Sequence, residues 1–249
     1  MRELENKTRI VLHFPQGTAE RLKKAFMFAY HPSEFDTYRR SSIRGVCVDS
    51  LGITGTDGRS LVHFPFGDEW FHTTGQEMPG SLTLYDNFTQ KLPKNIDTAL
   101  KFVQDKGYAM VADSGNIESK TMSQHDYPNY WQVVPKYFYS RIAFDDTARK
   151  ALVKKLLNAH VHDTVDFEFG CHVMKAWLNP IADKYFTNFL IEAETKDDLE
   201  SPFTLKFNAQ FLLRILRTLK HTVMNVCDNL SPVKFSGGDG WAILMPMRQ

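Results

Sequence analysis

The sequence predicts an α+β protein of two similar domains in tandem, each with two helices on one side of an antiparallel sheet. Segments whose apolar residues recur at helical spacing alternate with short segments that alternate like strands, so helices and strands are interspersed. The order helix, strands, helix, strands occurs twice, with a period of roughly 110–130 residues. A chain of 249 residues with 43% apolar content has room for one large core or two ordinary ones, and the repeat favours two domains.

The first half begins with a helix predicted over residues 18–30, where a capping-type threonine precedes an apolar face. Residues 42–54 predict two short strands around an Asp-Ser turn. Thr-Asp-Gly at 56–58 predicts a tight turn, because glycine supplies the positive φ that such turns need. A second helix is predicted over residues 95–106, and residues 108–117 predict a hairpin that turns at Asp-Ser-Gly-Asn.

The second half repeats this order. An acidic pair starts the helix predicted over residues 145–158, where the helix dipole favours negative charge, and an apolar stripe predicts a helix over 208–220. Strands are predicted at 164–177, 186–195, 223–226, 232–235 and 241–244. The aromatic stretch 127–135 joins the halves, so the predicted domains are 1–137 and 138–249, and we expect them to dock together.

Composition narrows the class of protein. Thirty basic and 29 acidic residues give a formal net charge of +1, so total charge indicates no class of partner. No apolar run approaches the ~18 residues that span a bilayer, and the first residues lack the apolar core of a signal peptide. Cys47, Cys171 and Cys227 are far apart and odd in number, which is typical of buried free thiols in a reducing compartment. The sequence therefore predicts a soluble cytoplasmic protein without a membrane partner.

Motifs for catalysis are weak. His160 and His162 alternate as two zinc ligands on a strand would, but no third ligand follows. Helix capping explains the acidic pair at 145–146 better than a magnesium site does. The glycine-rich run 236–240 joins two strands and precedes no helix, unlike a phosphate-binding loop. No serine or cysteine lies in a nucleophile motif, so the sequence predicts no enzyme activity, no metal and no cofactor.

Positive charge is concentrated on the predicted helices. Residues 18–30, 91–106, 145–157 and 208–220 carry net charges of +2, +2, +2 and +3, a total of +9 in a chain whose net charge is +1. Lysine and arginine are good helix formers on solvated faces, which is enough to explain any one basic helix. Four basic helices in a neutral chain favour a second interpretation, a surface that meets phosphates.

Several segments occur in the order found in one protein family. Ile43-Arg44-Gly45 precedes Thr-Asp-Gly-Arg-Ser-Leu at 56–61, and Tyr-Pro-Asn-Tyr at 127–130 precedes Val-Val-Pro at 133–135. Phe-Asn at 207–208, Phe-Leu at 211–212, Leu-Ser-Pro-Val at 230–233 and Ile-Leu-Met-Pro-Met-Arg at 243–248 follow. Together they resemble the bacterial DNA polymerase III beta subunit, the sliding clamp that serves as a polymerase processivity factor. The resemblance relates residues 1–137 to the family's middle domain and residues 138–249 to its last domain, and no part of this sequence resembles the family's first domain.

The resemblance implies two DNA-clamp domains with curved antiparallel sheets. It also implies a shallow apolar cleft between them that takes short linear peptides from DNA polymerase and the clamp loader. Methionine suits such a surface because its flexible thioether repacks around different partners, and proline keeps a segment from pairing as an ordinary edge strand. Gln132 and Ser60 stand where the family usually has arginine. The expected cleft residues are Ile43, Thr56, Gly58, Arg59, Ser60, Leu61, Pro128, Gln132, Val133, Asn208, Phe211, Leu230, Pro232, Ile243, Leu244, Met245, Pro246, Met247 and Arg248, with His162 a looser match.

The resemblance further implies that the protein encircles double-stranded DNA without reading its sequence, with helices lining the hole. The expected DNA-facing residues are Arg21, Lys23, Lys24, Lys94, Lys101, Arg149, Lys150, Lys154, Lys155, Arg214, Arg217 and Lys220. Two-domain clamps close as trimers, so a homotrimer of six domains is expected. The alternative function is that of a clamp-fold scaffold that binds peptides and does not encircle DNA.

Overall fold

The structure is a computed structural model that describes residues 9–12, 17–29, 43, 45–66, 81–84, 100–105, 108–112, 127–138, 140–144, 146–169, 173–179, 187–192 and 203–248. Its helices and antiparallel strands confirm the α+β class. The chain divides into two compact units. The first contains Met1–Gly58 and His63–Pro128, and the second contains Arg59–Val62 and Asn129–Gln249. Residues 129–137 cluster with the second unit, and the domain limits 1–137 and 138–249 stay a prediction.

The first unit contains seven described strands and one described helix. These elements are β1 (Arg9–Leu12), α1 (Thr18–Phe26), β2 (Val46–Asp49), β3 (Gly52–Thr56), β4 (Ser60–Pro65), β5 (Ser81–Leu84), β6 (Leu100–Asp105) and β7 (Tyr108–Ala112). Strands β1, β6 and β7 form an antiparallel sheet in that order. Strands β5, β2, β3 and β4 follow one another in a second sheet, and β4 belongs to this unit from His63 onward.

Helix α1 packs closely on strand β3. Leu22, Ala25 and Phe26 are buried on the face that the helical spacing predicts. A Cβ at Gly55 would overlap the backbone carbonyl of Ala25, so β3 approaches the helix backbone closely enough that only glycine fits. The two turns predicted nearby are also present. The Asp49 carboxylate accepts the backbone N–H of Gly52 at 3.0 Å, and Gly58 has a φ of 82°.

The second unit contains two helices and two antiparallel sheets among its described residues. Its further elements are β8 (Ser140–Ala143), α2 (Asp146–Leu156), β9 (Thr164–Phe169), β10 (Val173–Asn179), β11 (Thr187–Glu192), β12 (Phe203–Asn208), α3 (Ala209–Thr218), β13 (Val223–Val226), β14 (Val233–Gly237) and β15 (Gly240–Leu244). One sheet has the order β11, β10, β9, β12. The other has the order β4, β15, β14, β13, β8, with Arg59–Val62 belonging to this unit.

Aromatic rings join the two sheets of the second unit. Phe167 of β9 meets Phe207 of β12 edge-on, with ring centroids 5.7 Å apart, and Phe207 in turn meets Phe235 of β14 at 6.2 Å. Helices α2 and α3 also pack on each other. They bury Leu152 and Leu156 from α2, and Leu212, Ile215 and Leu216 from α3. This core holds the start of α3 and the end of β15 in one framework.

The prediction of a helix over residues 95–106 is wrong at the residues that the structure describes, 100–105. Residues 100–105 form strand β6, which pairs with β1 on one side and β7 on the other. A short apolar run fits either period, and Phe102 and Val103 are residues that favour strands when partners are available. Strand β7 therefore forms its hairpin with β6. Residues 95–99 and 113–117, including the predicted turn, lie outside the described residues.

No helix within the described parts of the chain is long and apolar enough to cross a membrane.

Candidate functional site

The chain's last described residues, 245–248, form a C-terminal segment that follows β15 and is anchored by its backbone. The N–H of Met245 donates to the carbonyl of Arg59 at 3.1 Å, and the N–H of Met247 donates to the carbonyl of Lys206 in β12 at 2.7 Å. Pro246 lies between them and has no N–H to satisfy. The segment is therefore fixed at two points of the second unit, at the residue before β4 and within strand β12. This explains how an apolar chain end stays ordered.

Anchoring by the backbone leaves the methionine side chains at the surface. Met245 is 41% exposed and Met247 is 42% exposed, although the preceding Ile243 and Leu244 are buried. Leu61 on β4 is also buried. Among the expected cleft residues, these three side chains are therefore buried and not available to a ligand. The two methionines form part of the surface itself.

Leu230 and Pro232 lie at the same end of the sheet as Met245. Val233 of β14 pairs with Leu244 of β15, so the antiparallel register places Pro232 opposite Met245. Leu230 is 70% exposed. Its backbone N–H donates to the Asp228 carboxylate at 2.7 Å, and the Ser231 hydroxyl donates to the same carboxylate at 2.7 Å. The Ser231 hydroxyl lowers the pKa of Asp228, so the turn that presents Leu230 keeps its charged acceptor.

Asn208 has a positioning role. It is the N-cap of α3, and its side-chain oxygen accepts the backbone N–H groups of Gln210 and Phe211 at 3.0 and 3.2 Å. Its side-chain nitrogen donates to the carbonyl of Val161 at 2.7 Å. Asn208 therefore ties the loop that carries the exposed His162 to the start of α3.

Arg214 lies with expected cleft residues, although the sequence predicts it to face DNA. Its Nη2 donates to the hydroxyl of Ser60, and its guanidinium carbon lies 5.1 Å from the centroid of the Phe211 ring. Phe211 and Arg214 are three residues apart on α3, so they share a face of the helix. The guanidinium is half-buried. The spacing of Phe211 and Arg214 is the only sequence signal for this arrangement, because Ser60 is distant in the chain.

Gln132 and Val133 belong to a 3-10 turn, Tyr130–Val133, that carries an aromatic cluster. The Trp131 ring lies 5.6 Å from the ring of Trp241 in β15, and Lys234 Nζ lies 5.3 Å from the Trp241 centroid. Burial lowers the pKa of Lys234. Trp131 and Val133 are each 42% exposed. The cluster of Trp131, Trp241 and Lys234 is not expected from the sequence, because it depends on which strand the turn meets.

The remaining expected cleft residues divide between the two units. Ile43, Thr56, Gly58 and Pro128 belong to the first unit, where the Thr56 hydroxyl accepts the N–H of Gly58 at 3.0 Å. Pro128 is exposed and Ile43 is buried. In the second unit, Arg248 is exposed and Pro246 is partly exposed.

The basic residues of α1 are engaged with their own unit. Lys24 forms an ion pair with Glu20 at 2.8 Å, and its side chain is only 19% exposed. Its Nζ also lies 6.0 Å from the centroid of the Phe64 ring. Arg21 donates to the carbonyl of Pro65 at 3.5 Å. Lys23 is partly exposed. Lys101 lies on strand β6, not on a helix, and Lys94 lies outside the described residues.

Helices α2 and α3 present more accessible charge. Lys154, Lys155, Arg217 and Lys220 are exposed, and the Lys150 side chain is 69% exposed. Arg149 differs because its side chain is 13% exposed and donates to the Leu216 carbonyl and to Asp146, both at 2.8 Å. Hydrogen bonds from Lys150 and then Arg149 lower the pKa of Asp146 to about 2. Arg149 therefore joins the two helices and contributes little surface charge.

No group of three or more His, Cys, Asp or Glu residues in the described parts of the chain is placed to hold a metal ion. Asp163, beside the two histidines, uses its carboxylate to accept the N–H of His160 at 2.6 Å.

The fold is that of the bacterial beta sliding clamps. No protein-family model and no curated protein matches the sequence. The beta clamp of Helicobacter pylori bound to a DNA ligase peptide matches with a TM-score of 0.77 at 16% identity, covering 98% of this chain and 67% of that one. The DNA polymerase III subunit beta of Pseudomonas aeruginosa gives 0.74 at 13% identity, covering 97% of this chain and 67% of that chain.

The beta sliding clamp of Caulobacter crescentus gives a TM-score of 0.73 at 15% identity, covering 97% of this chain and 65% of that one. This chain therefore spans about two thirds of the length of the clamps that it matches.

Proposed function

We propose that the protein is a DNA sliding clamp, which encircles duplex DNA and tethers DNA polymerase and the clamp loader through short linear peptides. The observation that carries the proposal is the anchored C-terminal segment. Its backbone is held by Arg59 and Lys206, and its two methionine side chains are left about two-fifths exposed. The clamp-like fold and the bound ligase peptide of the Helicobacter pylori clamp support the same reading.

The surface around this segment suits an apolar peptide. Met245, Met247 and the strongly exposed Leu230 offer flexible or protruding apolar groups on a frame that the core holds in place. A preformed frame lowers the entropy cost of binding, so a short peptide needs only a few anchoring side chains. We expect affinities in the micromolar range for the peptide of the cognate polymerase.

Peptide capture is tested by deleting residues 245–249. Fluorescence anisotropy with a labelled peptide from the cognate replicative polymerase is expected to show binding to the full chain and none to the truncated chain. The truncated chain is expected to keep its circular dichroism spectrum, because Ile243 and Leu244 remain in the core. Equal affinity in both proteins would refute the site.

Encirclement of DNA is the second part of the proposal. Lys150, Lys154, Lys155 and Arg217 on α2 and α3 provide exposed positive charge. Such residues give attraction to phosphates that is independent of sequence and falls with salt. Three copies of a two-domain chain would supply six domains, so we propose a homotrimer that closes head to tail.

Ring closure is tested by mass in solution and by retention on DNA circles. We expect light scattering to show a trimer. We also expect the loaded protein to stay on circular DNA at high salt until the circle is cut. A protein held by charge alone would dissociate equally from circular and linear DNA as salt rises. Monomer at every concentration, with no retention on circles, would refute the ring.

The alternative, a clamp-fold scaffold that binds peptides without encircling DNA, is favoured by one observation. Lys24, Arg21 and Arg149 use their charged groups within the protein, and Lys101 lies on a strand. Fewer charges therefore remain for DNA than the sequence predicts. Peptide binding without any retention on circular DNA would decide for the scaffold.

A further inference from the structure

Arg214 and Arg217 lie three residues apart on α3 and have different surroundings. Arg217 is exposed, whereas Arg214 is half-buried and reaches Ser60 and Phe211. The two residues have the same charge and lie on the same helix. The two arginines therefore belong to different surfaces of the second unit.

The residue that the Arg214 guanidinium contacts, Ser60, directly follows one anchor of the C-terminal segment, Arg59. Arg59 accepts the backbone N–H of Met245 at 3.1 Å, and the next residue, Ser60, accepts from Arg214 Nη2. Arg59, which precedes β4, therefore contacts the methionine segment, and Ser60, the first residue of β4, contacts the guanidinium. The N-cap at Asn208 fixes the first turn of α3, from which Phe211 supports the guanidinium. These contacts hold a cation one residue along the chain from an anchor of the apolar segment.

We propose that Arg214 determines the specificity of the peptide site by selecting ligands that carry a carboxylate. This inference rests on the proposed peptide capture. A guanidinium offers five N–H donors in a planar fork, and a carboxylate accepts two of them in parallel. An arginine held over an aromatic ring and partly removed from water discriminates charge better than a fully exposed one, because screening is weaker. Arg214 is then a peptide-reading residue and not part of the DNA surface.

The test begins with phage-displayed random nine-residue peptides selected on three proteins, the wild type, Arg214→Gln and Arg217→Gln. Selection on wild type and on Arg217→Gln is expected to enrich an acidic residue at one peptide position or a free C-terminal carboxylate. Selection on Arg214→Gln is expected to lose that enrichment and to keep the apolar preference.

Individual affinities then measure the discrimination. The best wild-type peptide is compared with its Asp→Asn or Glu→Gln version and with its C-terminal amide, which separates a side-chain carboxylate from a terminal one. We expect one of the two changes to weaken binding to wild type and to Arg217→Gln about tenfold, as for a hydrogen bond to a charged group. In Arg214→Gln the same change is expected to alter affinity less than about twofold.

The outcomes separate the inference from the proposed function. If peptides bind wild type but the acidic and neutral versions bind equally, or if Arg214→Gln discriminates as wild type does, Arg214 does not read a carboxylate and peptide capture stands. If no peptide binds wild type, both ideas are overturned. A melting temperature for Arg214→Gln close to that of wild type shows that a loss of discrimination is not a loss of folding.

Discussion

The C-terminal segment and the exposed face of helices α2 and α3 are two surfaces of the same unit with opposite construction. The segment is held by backbone hydrogen bonds to the carbonyls of Arg59 and Lys206, and its two methionine side chains are apolar and partly buried. The helical face consists of long charged side chains, such as Lys154, Lys155 and Arg217, that extend into water. Ligand binding at the C-terminal segment would depend on a defined shape, whereas binding at the helical face would depend on charge density.

The construction of each surface determines how ligand binding there should respond to substitution and to salt. Apolar contacts in a fixed frame are weakly screened by salt, and a few residues carry most of the binding free energy. Each contact between a basic side chain and a phosphate adds a similar amount to the DNA affinity, and this affinity falls steeply as the salt concentration rises. Variants of one surface should therefore leave ligand binding at the other unchanged.

The largest effect is expected for DNA affinity when Lys154, Lys155 and Arg217 are changed together to glutamate. Each phosphate contact contributes about 0.9 to the slope of log affinity against log salt, so losing three weakens binding at 0.1 M salt by more than about 100-fold. The salt slope on linear duplex DNA, measured by anisotropy, is expected to become shallower, and the peptide affinity is expected to stay unchanged. Reversal of the exposed Arg141 on β8, compared with reversal of Arg217 alone, is the matched control. An equal loss in that control would contradict the assignment of the DNA face.

A smaller effect is expected for peptide affinity in Met245→Ala and Met247→Ala. Each change keeps the backbone hydrogen bond and removes a half-buried apolar side chain, so we expect a loss of about tenfold each. Titration calorimetry at low and high salt is expected to give the same loss in both. Met27→Ala is the control, because Met27 is 47% exposed in the first unit. Full affinity in both C-terminal variants would show that the segment only supports the site.

The frame of the site is tested at Asn208. Asn208→Ala removes the cap of α3 and the hydrogen bond to Val161, and is expected to lower the free energy of unfolding by about 1–2 kcal/mol. Asn208→Asp keeps a capping acceptor and loses only the donor to Val161, so it is expected to cost less. Urea denaturation measures both. Equal destabilisation by the two variants would place the stability in the Val161 contact and not in the cap.

The smallest effect is expected for Asp146→Asn, which removes the carboxylate that pairs Arg149 and Lys150. The pKa of Asp146 is lowered from 3.8 to about 2, so its contribution to stability is complete above the unfolded pKa and is lost as pH falls through about 2. The melting temperature of wild type is expected to exceed that of the variant slightly at neutral pH. The gap should close below pH 2 and narrow in high salt. A gap that persists at pH 1.5 would mean that the charge is not its source.

Much of the fold was predictable from local patterns. The apolar spacing around Leu22 and Phe26 predicts α1, and the stripe that contains Leu212 and Leu216 predicts α3, where the structure buries these side chains. The Thr-Asp-Gly turn follows from the positive φ that Gly58 adopts. Residues 100–105 could not be predicted in the same way. A six-residue apolar run fits both periods, and only the pairing partners in β1 and β7 make it a strand.

The apolar residues of the proposed site are ones that the sequence singles out, whereas the surroundings of its charged residues do not follow from the sequence. The resemblance of the Met-Pro-Met-Arg segment predicts a peptide-binding surface, and the structure leaves its methionines exposed on an anchored backbone. The basic helix composition does not reveal which charges are free to meet DNA. Arg149 bridges to the Leu216 carbonyl, and Lys24 pairs with Glu20 and lies over Phe64. Such contacts depend on neighbours in space, so net charge overestimates the accessible charge.

The sequence by itself determined the elements whose formation depends on residues within a few positions of one another: the amphipathic helices, the alternating strands and the glycine turns. The tertiary structure alone decided that Arg214 meets Ser60, 154 positions away, and that the N–H of Met247 meets the carbonyl of Lys206. Side-chain periodicity carries information about local conformation, but a backbone carbonyl has the same chemistry at every residue. Which carbonyl or hydroxyl becomes a partner is therefore set by the packing of sheets and helices, after the local pattern has been satisfied.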